Sequence, residues 1–138
     1  MSRERSAETT RARANVRVRD SEVVPFDDED PALVEIHLRE IFEGDIEARS
    51  DVRALQVRHE DGSARMVSLQ RVRGTLHGRA GTFVLQGAEI VSDGKISATW
   101  FVIPGSGTGD LARLRGEGGF EGSFGQGSAA TLDYWFER

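Results

Sequence analysis

The chain of 138 residues has no cysteine, which excludes a disulfide framework, a thiolate nucleophile and a thiolate-bound metal or iron–sulfur cluster. Of its 18 basic residues only Lys95 is a lysine, so Schiff-base chemistry has no other candidate and anion binding falls to arginine. No apolar run approaches the roughly 20 residues of a membrane-spanning helix. The arginine-bearing start also lacks the apolar stretch of a secretory signal. A cytoplasmic protein without membrane association is expected. The net charge is −5 and the bases are scattered among acids, which argues against a nucleic-acid partner.

The length suits a single domain. Residues 1–14 are polar and lack either apolar period, so they read as a flexible N-terminal tail ahead of one domain spanning 15–138. Within that domain the chain runs in steps of two. Val34, Ile36 and Leu38 alternate with Glu35, His37 and Arg39, as a strand with one buried face requires. Val16–Val24, Asp45–Ala48, Val52–His59, Met66–Leu76, Thr82–Val91, Lys95–Ile103 and Thr131–Glu137 behave alike. Asp61-Gly62 and Asp93-Gly94 mark tight hairpins. A short helical turn is suggested only at Asp110–Leu114. Eight or nine strands with hairpin connections predict an antiparallel sheet, and closure into a β-barrel of about eight strands removes edges that so few prolines could not protect.

Glycine is concentrated rather than abundant, with nine of sixteen between Gly105 and Gly127. The run Pro104-Gly105-Ser106-Gly107-Thr108-Gly109-Asp110 ends in an acid where a phosphate loop needs Gly-Lys-Ser/Thr, and no strand–helix–strand unit surrounds it. Close backbone approach at a barrel corner is the expected purpose. His37, His59 and His77 stand apart without metal-ligand spacing, and Asp27-Asp28-Glu29-Asp30 lacks the alternating ligands and bending glycine of a calcium loop. No Gly-x-Ser-x-Gly elbow occurs between a strand and a helix. Neither a metal nor an organic cofactor is expected.

Polar groups on apolar strand faces are the remaining signal, because burying them needs a partner or a purpose. Glu40 continues the face of Val34, Ile36 and Leu38. Glu47 lies between Ile46 and Ala48, Gln70 shares a face with Met66, Ser68 and Val72, and Gln86 sits with Val84, Ala88 and Ile90. Trp100 aligns with Ile96, Ala98 and Val102, and Tyr134 with Leu132 and Phe136. Such a set suits an apolar cavity with a few polar groups; each member also has an ordinary reading as a hydrogen-bonded core or rim residue. Phe101, Ile103 and Trp135 give the alternate face bulk as well; in a closed barrel one of the two sets must face out, and exposed aromatics in a row predict a protein contact, hence a homo-oligomer, a dimer or trimer.

Several motifs resemble those of a bacterial family of uncharacterised proteins. They are Glu43-Gly44-Asp45-Ile46-Glu47, Leu69–Leu76 followed by Gly78–Gln86, the run from Pro104 to Phe120, and Thr131-Leu132-Asp133-Tyr134. That family resembles the allene oxide cyclase barrel shared with plant dirigent proteins, whose Gly-Thr-Gly and following Arg-Gly echo Gly107-Thr108-Gly109 and Arg115-Gly116. The likeness spans about Asn15 to the end. The chain departs from it at Gln70, where an acid is common, at Gly87, where a histidine often follows the glutamine, and at Ser21, where a tryptophan is usual. The resemblance implies a cofactor-free barrel that folds and cyclises or isomerises a hydrophobic small molecule, with a carrier or sensor, or a structural oligomer with a filled core, as alternatives. On that reading Glu40 or Glu47 is the acid or base and Gln70 or Gln86 holds a carbonyl or hydroxyl. Trp100, Phe83, Tyr134 and Met66 then shape the cavity.

Overall fold

In the computed structural model, which describes residues 9–123 and 126–138, eight antiparallel strands pair in sequence order and β1 closes against β8. The strands are β1 (Thr10–Pro25), β2 (Ala32–Gly44), β3 (Ile46–Arg58), β4 (Ala64–Leu76), β5 (Arg79–Ser92), β6 (Lys95–Val102), β7 (Leu114–Ser123) and β8 (Ser128–Phe136). The all-β closed barrel expected from the two-residue period is therefore the fold. No helix among the described residues is long and apolar enough to cross a membrane.

Three local expectations change. The tail ends earlier than residue 14, because Thr10 to Val16 pair with β8 and Ala12 is fully buried. Ala12, Ala14 and Val16 do alternate with Arg11, Arg13 and Asn15, but alanine carries too weak an apolar signal to reveal a strand. Residues 1–8 of the expected tail lie outside the described residues. The segments Asp45–Ala48 and Val52–His59 join into the single strand β3, with Ser50 occupying the inward phase between them. The glycine-rich stretch read as a corner contains a whole strand, β7, preceded by a short 3-10 turn at Gly109–Leu111.

The physical reason for β7 is space. Its inward positions are Leu114, Gly116, Gly118, Phe120 and Gly122, and in register Gly118 lies opposite Trp100 of β6 while Gly116 lies opposite Tyr134 of β8. The Trp100 indole crosses this gap and donates from Nε1 to the Thr131 carbonyl at 3.0 Å. A Cβ on Gly118 would stand 2.2 Å from that same oxygen. Glycine thus lowers the strand's intrinsic propensity but lets two large aromatics fill a tapered interior.

The core fills one end of the barrel. Phe42, Leu76, Phe83, Trp100, Leu111 and Leu132 belong to one buried cluster, and Trp100 sits at its centre with ring centroids 6.2 Å from Phe42 and 5.3 Å from Phe120. The β6–β7 connection folds across this end, pinned where Thr108 N–H donates to the Thr82 carbonyl and Ser106 Oγ accepts from Val84 N–H. Beside it, His77 Nε2 is 3.5 Å from Asp45 Oδ2 and His77 Nδ1 is 2.7 Å from the Tyr134 hydroxyl. Burial raises the pKa of that phenol.

Candidate functional site

The other end is hollow. A cavity of about 970 Å³ opens between the β1–β2, β3–β4 and β7–β8 connections and runs down to the aromatic plug. One side of it is mostly apolar, with Val16, Ile96 and Phe120, whereas β2, β4 and β5 turn Glu40, Ser68, Gln70 and Glu89 toward it. Basic side chains occur on its lining as Arg17, Arg58 and His59, at the end of the barrel where those connections lie. Arg58 is engaged there, donating from Nε to Gln56 Oε1 at 2.9 Å.

The two carboxyl groups are unlike surface acids. Burial, with a further contribution from the charge of Glu89, lifts the Glu40 pKa to about 7. Burial also raises that of Glu89, against the opposing effect of Ser68, whose Oγ donates to Glu89 Oε2 at 2.6 Å. Glu89 Oε1, Gln70 Oε1 and Ser50 Oγ are buried without a hydrogen-bond partner. Ser50 neighbours Glu40 directly across the β2–β3 ladder, so these polar groups form a belt on consecutive strands just above the plug.

The arrangement separates the expected site residues. Glu40, Gln70 and Met66 reach the cavity. Glu47 and Gln86 do not: both side chains are exposed on the outer face, one residue out of phase with the inward row. Trp100, Phe83 and Tyr134 are inward but lie in the plug and close the cavity's far end rather than lining it. The outward face of β5 carries Val84, Ala88 and Ile90, so both faces of that strand look apolar, and the phase holding Gln86 is the wrong one.

Glu89 and Ser68 are what sequence reasoning missed as a pair. A signal did exist. The Asp93-Gly94 turn pairs Ser92 with Lys95, which carries Glu89 opposite Ala98 and Gly87 opposite Trp100 on the inward face of β6. The three departures from the resembled family also gather here. Ser21 reaches the mouth because a bulge at Arg19 reverses the phase of β1, Gln70 lies in the belt, and Gly87 makes room for the Glu89–Ser68 pair, since a Cβ there would stand 2.6 Å from Glu89 Oε2 and 2.9 Å from Ser68 Oγ.

Comparison with known proteins bears on the whole barrel. A family model described as protein of unknown function, DUF3224, matches residues 10–134. A crystal structure of a protein of unknown function from that family, from Shewanella oneidensis MR-1, is 29% identical and superposes with a TM-score of 0.75, covering 95% of this chain and 99% of that one. No curated protein matches significantly.

Proposed function

This chain belongs to the DUF3224 family, and from its half-hollow barrel we propose a cofactor-independent cyclase or isomerase that folds a hydrophobic small molecule in the chamber. The observation that carries this reading is an acid, Glu40, on the polar belt of a chamber whose facing wall is mostly apolar, with its pKa raised to about 7. A carboxyl with a pKa of about 7 is as ready to give a proton as to take one at physiological pH. Removing a proton beside a carbonyl and returning it elsewhere isomerises a substrate with no external oxidant. Gln70 would hold the carbonyl, and the walls would restrict a flexible chain to its reactive shape. The resemblance of the chain's motifs to the allene oxide cyclase barrel supports the same chemistry.

Incubation with a synthetic linear polyketide thioester is expected to give a biased set of cyclic products, and the bias should be lost in Glu40→Gln and kept in the outward-facing Glu47→Gln. Product ratios equal to those without protein would overturn the enzyme reading. The apolar wall favours carriage as a second reading, and a carrier would bind the thioester while leaving its product ratio unaltered.

A homo-oligomer is part of the proposal. Leu55, Val67 and Ala88 line up across β3, β4 and β5 on the outer surface, flanked by Leu69, Ile90 and Phe101, with Val67 at 59% and Leu69 at 54% exposure. A row of this kind is the usual mark of a covered face. Light scattering is expected to report a dimer or trimer, and a Val67→Glu, Leu69→Glu double variant a monomer with the same circular dichroism. A monomeric parent protein would remove this element.

A further inference from the structure

We infer that the natural occupant of the chamber carries a protonated amine on an apolar body and seats that amine against Glu89 and Gln70. The inference rests on the chamber reading above and specifies its ligand. Glu89 is only 5% exposed, yet Oε1 has no partner, and among the described residues no arginine, lysine or histidine forms an ion pair with either Glu89 or Glu40. Gln70 is equally buried, and its Oε1 is likewise unmatched. A buried acceptor left unpaired is costly, and more so when it is charged, so the folded barrel carries a debt that a donor would relieve. Both residues line the cavity, but the unmatched oxygens themselves have almost no accessible surface, so seating a donor on them requires each side chain to turn toward the chamber.

Ligand head groups differ sharply against such a belt. An ammonium brings three donors and a positive charge, so it satisfies the acceptors and neutralises a carboxylate at once. A hydroxyl offers one donor and leaves the charge uncompensated. A carboxylate offers none and meets like charge. The bases on the cavity lining, Arg17, Arg58 and His59, sit toward the mouth, so an acidic head has no cation beside Glu89 and Gln70 to receive it. Apolar side chains such as Ile96 and Phe120 then cover the body of the molecule.

Calorimetric titration of the full chain at pH 8 with 4-phenylbutylamine, 4-phenylbutanol and 4-phenylbutyrate tests this, alongside entry of the neutral fluorescent probe N-phenylnaphthylamine. The amine is expected to bind at least tenfold more tightly than the alcohol and the acid more weakly than either. Glu89→Gln should abolish the amine's advantage without weakening the alcohol. Equal binding of amine and alcohol, or preference for the acid, would overturn the inference and leave the chamber intact. Exclusion of all three compounds and the probe would overturn the chamber reading itself, and the inference with it.

Discussion

Glu40→Gln is expected to stabilise the protein by roughly 3 kcal/mol at pH 8, a rise in Tm of roughly 10 °C, and by under about 1 kcal/mol at pH 5. The sign follows from where the proton sits. Glu40 has a folded pKa of about 7 against 4.5 in the unfolded chain, so between those values the folded state keeps a proton that the unfolded state has released. Stability from this group is therefore greatest below the lower value and falls as pH rises through the upper one. Above it the folded barrel holds a desolvated anion that glutamine replaces with a neutral group of the same shape. Thermal melts of the parent, Glu40→Gln and Glu47→Gln at both pH values check this, with Glu47→Gln expected to melt like the parent. A gain independent of pH, or a loss at pH 8, would mean that Glu40 is not buried as an ionisable group. A stability cost borne only when the group ionises is what a site tuned for proton transfer carries.

The second large effect lies in the plug. Trp100→Ala should destabilise by about 3–5 kcal/mol through lost burial and the void left behind, with the Nε1 bond to Thr131 lost as well. Gln86→Ala, on the outer face of the neighbouring strand, should stay within about 0.5 kcal/mol. Urea denaturation resolves the two. A small loss for Trp100→Ala would show that the plug does not hold the barrel closed, and the cavity would then run through the molecule.

These expectations show how unevenly the sequence speaks about the site. Glu40 was legible because its strand alternates cleanly: Val34, Ile36 and Leu38 leave it no other face. Gln70 and Met66 followed from the same rule on β4. On β5 the rule fails, because the outer face is apolar as well, and Gln86 was placed inside while Glu89 was overlooked. Glu47 was misplaced for a plainer reason, since a single acid between Ile46 and Ala48 belongs to the opposite phase from both. Which face the aromatic residues take was left open, because Phe101, Ile103 and Trp135 give the alternate face bulk as well, and nothing in a strand's pattern says how far along the barrel axis a side chain comes to rest.

What the sequence determined by itself was the period of two and the hairpin turns, because these depend on neighbours one to three residues apart, and closure of the antiparallel sheet followed from the scarcity of prolines to protect its edges. What only the tertiary structure decided was the division of the interior into a plugged half and a hollow half. That division depends on stagger between strands far apart in sequence: glycines on β7 make room for Trp100 and Tyr134 at one level, and Glu40, Gln70 and Glu89 come together at another. Burial and mutual repulsion then set the proton affinity of Glu40, and neither exists until the barrel has closed.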